Sequence, residues 1–403
     1  MTPEEKLALI RDQLEEPMRF EIIENIVLKE NRPVSIYWGT ATTGRPHCGY
    51  FVPMMKIAQF LAAGCRVKIL LADIHGFLDN LKAPIELVNY RAKYYKFVIQ
   101  ALLRAIGVSL DKLEFPLGST HQLTPKYTMD LYRLSTMVTE HDAKKAGAEV
   151  VKQSENAPLS GLMYPLMQSL DEEHLDVDAQ FGGVDQRKIF ALATETLSKI
   201  GYKTRAHLMN PMVPGLAGGK MSASDPDSKI DILDTADVVQ KKLKKAFAAP
   251  GEIEGNGIVA FVKYVLLPLS ALRNNGKASF TIEQHEGQPL VYHDIKSLED
   301  DYRAQQLTPQ LLKSGASAAL VDLLAPIQVE YQNSPEWQEI EKKAYPPPPE
   351  KQKKKPKNKG TRFPGNVAAK PDGSVEGKDK DQVDVGHNAA EAMSNLAVNG
   401  EKA

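Results

Sequence analysis

Two short segments carry residue types suited to handling a nucleotide. The first is Gly39-TATT-Gly44-Arg45-Pro46-His47-Cys48-Gly49-Tyr50, placed where an apolar strand hands over to a helix. Phosphates and nucleotides bind at such turns, because free backbone N–H groups face the ligand. The spacing is not GxGxxG, and Arg45-Pro46 stands where a Walker A site needs Lys-Ser/Thr. His47-Cys48-Gly49-Tyr50 would open the helix, with Gly49 letting an adenine lie against the backbone and the His47 imidazole facing a triphosphate. A tight turn carrying a surface histidine is the competing reading. The second segment, NPMVPGLAGGKMSASDPDSKI over residues 210–230, is a Gly/Pro-rich loop. In it Lys220 beside Ser222 and Ser224 offers a point charge and hydroxyl donors for closing over phosphates. Alone, it reads equally well as a flexible connection.

A third group is suited to holding a small polar molecule. Tyr164, Gln168 and Asp171 recur at i, i+4 and i+7 in a Leu/Met-rich segment, so a helix places them on one face. A polar row facing a sheet is costly unless it meets a polar ligand. Pro165 would start or kink that helix. Tyr37, late in the first strand, and Gln186, just after Gly182-Gly183, can reach the same crevice.

The elements that must position these residues alternate. Strands at 33–39, 66–72, 113–117, 175–181 and 205–209 are separated by helical text at 46–61, 86–106, 125–139, 162–171 and 184–200. Alternation of this kind predicts an α/β fold, a Rossmann-like doubly wound parallel sheet, over residues 1–228. Two N-terminal helices precede it, the first with a Thr2-x-x-Glu5 capping box. Residues 229–345 read as a second, mostly helical domain. From PPPP at 346–349 the chain turns Lys-rich and then polar, a composition that predicts a disordered tail.

The whole chain has 403 residues, 50 Lys+Arg against 51 Asp+Glu, and two cysteines. Two cysteines without CxxC spacing exclude a disulfide framework or a zinc cluster, and fit a reducing compartment. The charge balance excludes a uniformly basic nucleic-acid binder but not local basic patches; the tail alone holds 11 bases against 8 acids. The longest apolar run, 258–272, is broken by Lys263 and is too short to span a bilayer, so no membrane role is expected.

His47-Cys48-Gly49-Tyr50 and Lys220-Met221-Ser222-Ala223-Ser224, about 170 residues apart, resemble the HIGH and KMSKS signatures of class I aminoacyl-tRNA synthetases, whose one site lies at the sheet's carboxyl edge. Wider text, IYWGTATTGRPH, KKAGAEVVKQ, DAQFGGVDQRKIF and HLMNPMVPGL, resembles the tyrosine-specific, eukaryotic branch of that family over residues 1–345, and the lysine-rich tail looks fungal in style. The resemblance implies ATP, Mg²⁺, L-tyrosine and tRNA(Tyr) as reactants, a homodimer, and a cytoplasmic location, with the Lys-rich segments suggesting a partial nuclear pool. It implies that Tyr37 and Asp171 bond the substrate phenol, and that Tyr164, Gln168 and Gln186 hold its amino group, with His75 and Gln122 lining the pocket. It assigns Gly39, His47, Gly49, Lys220, Met221 and Ser222 to ATP, and catalysis to His47, Lys220, Ser222 and Ser224. Arg187 and Lys188, with Lys241 and Lys242, are tRNA candidates, although a charged helix surface explains them too. The helical domain would read the anticodon. Two departures stand out: Tyr50 replaces the last His of HIGH, and Ala223 replaces the second Lys of KMSKS, a loss that a monovalent cation would offset. The rival readings are a tryptophan-specific relative, a small-molecule adenylyltransferase and a non-catalytic RNA-binding paralogue.

Overall fold

The structure, a computed structural model, describes residues 1–79, 84–151, 158–215, 229–284 and 286–347. Helix α1 (Pro3–Arg11) starts as its capping box requires. Thr2 Oγ1 accepts from the Glu5 amide at 3.2 Å, and the Glu5 carboxylate accepts from the Thr2 amide at 2.7 Å. Strand β1 (Glu16–Met18) and helix α2 (Phe20–Asn25) follow, the latter running into a π-turn that buries Ile26 and Val27.

The alternating part continues as β2 (Ser35–Ala41), α3 (Phe51–Ala62), β3 (Arg66–Ala72), α4 (Asp73–Leu78), α5 (Ile85–Ala105), β4 (Leu113–Glu114), α6 (Gly118–Gln122), α7 (Pro125–Ser135), α8 (Glu140–Ala146), α9 (Leu159–His174), β5 (Ala179–Gly183), α10 (Arg187–Thr196) and β6 (Ala206–Asn210). Helix α3 stops at Gly64, whose φ of +86° only glycine adopts readily. Pro165 does not break α9, which begins a turn and a half earlier at Leu159 and runs through it.

The sheet order is β1-β6-β5-β2-β3-β4. Strands β6, β5, β2, β3 and β4 are mutually parallel. Chain order therefore reverses between β2 and β5, the crevice where doubly wound sheets bind ligands. The expected strands are thus parallel as read, and the sheet gains one further edge strand that makes it mixed, β1, which pairs antiparallel with β6. Glu16-Pro17-Met18 shows no alternation, and proline is tolerated in it because an edge strand need not donate on its outer side.

The remaining elements are α11 (Ala236–Lys245), α12 (Gly257–Phe261), α13 (Leu267–Arg273), β7 (Phe280–Ile282), β8 (Leu290–Tyr292), α14 (Ile295–Arg303), α15 (Pro309–Gln332) and α16 (Pro335–Ala344). The small antiparallel pair β7–β8 is an addition to the helical reading. Residues 1–345 form one compact unit. One cluster of buried side chains runs through it from Ile10 to Ala344, so sheet and C-terminal helices share a core. The tail expected to be disordered lies outside the described residues, apart from its first two prolines.

Candidate active site

At the reversal point β2, α4, α9 and β5 enclose a cavity of about 250 Å³. Tyr37 reaches it from β2, while Tyr164, Gln168 and Asp171 reach it from one face of α9. His75, on α4, and Gln186, in the turn after β5, complete the polar lining. Tyr37 Oη donates to the Gln168 carbonyl at 3.2 Å, and Gln168 Nε2 donates to Gln186 Oε1 at 3.1 Å. The five residues expected to meet a substrate are thus brought together. Burial, then the Asp171 charge, pushes the Tyr37 phenol well up, so it acts as a neutral donor.

Asp171 is fully buried and held from behind. His121 Nε2 lies 2.9 Å from its Oδ1, Tyr127 Oη donates to Oδ1 at 3.0 Å, and Gln122 Nε2 donates to Oδ1 at 2.9 Å and Oδ2 at 3.1 Å. Gln122, expected to line the pocket, is instead a support for Asp171. The sequence reading missed His121 and Tyr127 because α6 and α7 meet α9 only in three dimensions. His75 Nε2 is buried without a partner among the described residues, and burial above all lowers the His75 pKa, keeping the ring neutral.

A second cavity, of about 330 Å³, adjoins the first across Trp38, Tyr50, Phe181, Gly182, Gly183 and Gln186, which line both. His47 and Gly49 line its far side, and Asn210, Pro211, Met212 and Val213 after β6 close it. Gly39 borders the first cavity rather than this one. A Cβ on Gly182 would lie 3.0 Å from both Gln186 Cγ and Phe190 Cζ, so glycine there keeps the shared wall thin.

His47 caps the short 3-10 turn Cys48–Tyr50, its Nδ1 accepting from the Gly49 amide at 3.2 Å. That bond leaves the proton on Nε2. Burial, helped by the nearby Lys229 charge, pulls the His47 pKa down to about 4, so a neutral Nε2–H donor is present at neutral pH. Lys229 is a cation that motif reading overlooked. Tyr50, in place of a second histidine, is a half-buried wall residue. Its hydroxyl is 3.1 Å from Thr40 Oγ1, and its ring packs edge-on against Trp38 and His47.

Lys220, Met221, Ser222, Ala223 and Ser224 lie outside the described residues. The chain that follows them does meet the first motif: the Cys48 amide donates to the Ile230 carbonyl at 2.9 Å, and His47 bridges Asp231. Among the candidate tRNA residues, Arg187 pairs with Glu16 at 2.8 Å, Lys188 with Glu149 at 2.8 Å and Lys242 with Asp234 at 2.7 Å, while Lys241 is exposed. Among the described residues no group of three or more His, Cys, Asp or Glu is placed to hold a metal ion, and no helix is long and apolar enough to cross a membrane.

A profile of the class I tRNA synthetases (W and Y) matches residues 29–325. Cytoplasmic tyrosine–tRNA ligase of Saccharomyces cerevisiae is 55% identical over 370 residues, which cover 90% of this chain and 94% of that one. The cytoplasmic tyrosine–tRNA ligase of Danio rerio is 55% identical over 86% of this chain and 64% of its own length. Tyrosyl-tRNA synthetase of Archaeoglobus fulgidus, solved with L-tyrosine, superposes with a TM-score of 0.73 at 33% identity, covering 82% of this chain and 99% of that one. With the reversed sheet, the adjoining cavities and these similarities together, the chain belongs to the class I tRNA synthetases of the tryptophan and tyrosine group and is an aminoacyl-tRNA synthetase.

Proposed function

We propose that the chain is a tyrosine–tRNA ligase, activating L-tyrosine with ATP and passing it to tRNA(Tyr). The observation that carries this reading is the pair of cavities sharing one wall, with Asp171 and Tyr37 in the first and the neutral His47 donor in the second. Of the two Asp171 oxygens, Oδ1 takes three donors, while Oδ2 takes Gln122 at 3.1 Å. Oδ2 accepts from the substrate hydroxyl, whose oxygen in turn accepts from the Tyr37 hydroxyl as that group turns from the Gln168 carbonyl. A ligand without that hydroxyl leaves a buried carboxylate short of a donor, which penalises phenylalanine. Tyr164, Gln168 and Gln186 face the α-amino end.

The substrate carboxylate then points through the shared wall at the α-phosphorus of ATP. Its oxygen attacks, the α–β bridging bond breaks, and pyrophosphate leaves with the Mg²⁺ that arrived on the nucleotide. Both reactants carry their own reactivity, so the protein contributes position and charge complementarity. The His47 Nε2–H group bonds a phosphate oxygen, Gly49 admits the adenosine, and Lys220, Met221, Ser222 and Ser224 close over the leaving group. The terminal ribose hydroxyl of tRNA then displaces AMP from the adenylate. Residues 1–228 perform the chemistry, and 229–345 read the anticodon. Arg187, Lys188, Lys241 and Lys242 meet RNA by exchanging their present carboxylate partners, or water, for phosphates.

The dimer surface we assign is the face of α6, α7 and the start of α9. There Leu123, Tyr132 and Leu159 are 61%, 59% and 76% exposed, with Met129, Met137 and Met163 among them, an apolar patch of the kind that marks an interface. The relatives' printed names place those proteins in the cytoplasm, and we assign the same compartment; a nuclear pool gains nothing from them. Charging of tRNA(Tyr) with labelled tyrosine tests the reading: an ester that is labile to base is expected, and no charging would overturn it.

A further inference from the structure

Residues 42–47 connect β2 to the nucleotide cavity, and their hold comes from elsewhere in the chain. The Gly44 carbonyl accepts from two phenols, Tyr95 Oη at 2.5 Å and Tyr345 Oη at 2.8 Å. Arg91, on α5, donates through one terminal nitrogen to the Thr43 carbonyl at 2.8 Å and through Nε to the Ala344 carbonyl at 3.2 Å. The Arg45 guanidinium forms an ion pair with Glu341 and lies over the Tyr345 ring, 4.7 Å from its centroid. Arg91 covers the same ring at 5.1 Å. Glu341 also accepts from Tyr331 of α15, and Trp337 of α16 stacks on Phe97 of α5 at 5.6 Å.

Only Pro46 separates Arg45 from His47. A loop with the Thr43 and Gly44 carbonyls and the Arg45 cation bonded is restricted before ATP arrives, so less ordering cost is left for binding. Besides Arg91 and Tyr95 of α5, the contacts that restrict it come from α16 and the residue after it, some 300 positions further along the chain, and neither Glu341 nor Tyr345 lines either cavity. We infer that Glu341 and Tyr345 are positioning residues for the ATP-binding loop, so that the C-terminal helix tunes nucleotide affinity through Arg45 and Gly44. This rests on the assignment of the His47 cavity to ATP.

The test is ATP–pyrophosphate exchange on the full chain with Glu341→Gln and Tyr345→Phe, reading the KM for ATP, the KM for tyrosine and the melting temperature of each variant. Exchange by the unaltered chain with ATP establishes the underlying reading; its failure there is a failure of that reading and not of the clamp. Each variant should raise the ATP KM about fivefold, with the tyrosine KM within twofold of wild type. Adding Arg45→Met to Glu341→Gln should raise the ATP KM by less than the product of the two single effects, because both remove the Arg45–Glu341 contact. Arg45→Lys should recover most of the affinity lost in Arg45→Met, since it keeps the charge opposite Glu341. An unchanged ATP KM in Glu341→Gln and Tyr345→Phe, or both KM values rising together with a falling melting temperature, would overturn the inference. So would a large effect of Arg45→Met alone, which would make Arg45 a direct phosphate contact.

Discussion

The two cavities share a wall but are built by different means. In the amino-acid cavity, specificity rests on side chains that hold one another: Asp171 is fastened by His121, Gln122 and Tyr127, and Gln168 by Gln186. In the nucleotide cavity the described groups are fixed through the backbone, with His47 bonded to the Gly49 amide, Cys48 to Ile230, and Gly44 to two phenols. A phenol must be told from a phenyl by one hydroxyl, and a buried carboxylate that still needs a donor makes its absence costly. A triphosphate is charged and extended, so backbone donors, a neutral imidazole and a lysine suffice. One side selects its ligand and the other holds and aligns it.

That division can be broken most visibly at Lys220. If it serves only the leaving pyrophosphate, Lys220→Met should slow adenylate formation by about 100-fold to 1000-fold and leave the tyrosine KM unchanged. Rapid-quench measurement of the first turnover reads both, and a parallel rise in tyrosine KM would dissolve the distinction. Asp171→Ala probes the other side: discrimination between tyrosine and phenylalanine should fall about a hundredfold, with the ATP KM steady. Survival of discrimination would move the hydroxyl contact to Tyr37 alone. Gly182→Ala tests the wall itself. Its Cβ would crowd Gln186 and Phe190 at 3.0 Å, so both KM values should rise, by roughly fivefold; a change in one alone would show that the wall serves a single cavity.

The smallest expected effect concerns protons. The His47 pKa is lowered to about 4 in the folded chain from an ordinary 6.5, so between these values the unfolded chain binds the extra proton. Stability from this group is therefore full above pH 6.5 and declines as pH falls towards 4. His47→Gln should flatten that part of the melting-temperature profile and leave the slope above pH 7 as it was. An unaltered acid limb would mean that His47 is solvated.

Much of this architecture was legible beforehand. Strand Arg66–Ala72 is found with its expected bounds, because a continuous apolar run before helical text has few other uses. The row Tyr164, Gln168 and Asp171 was readable from helical periodicity alone. Strand β1 was not, since three residues containing Pro17 take their conformation from the sheet edge they join. His121 and Tyr127 escaped notice for a related reason: their meaning lies in Asp171, on another helix, and no local pattern records it. Gln122 was read as a pocket wall and turned out to stand behind Asp171, a distinction of depth that periodicity does not carry. Glu341 and Tyr345 sit in an ordinary amphipathic helix and its cap, and only the folded chain brings them to Gly44 and Arg45.

The central claim is that Asp171 and Tyr37 make this a tyrosine-activating site beside an ATP cavity. ATP–pyrophosphate exchange, run in parallel with tyrosine, tryptophan and phenylalanine, tests it most directly. The account predicts rapid exchange with tyrosine and little with the other two; no exchange with tyrosine, or faster exchange with tryptophan, would contradict it.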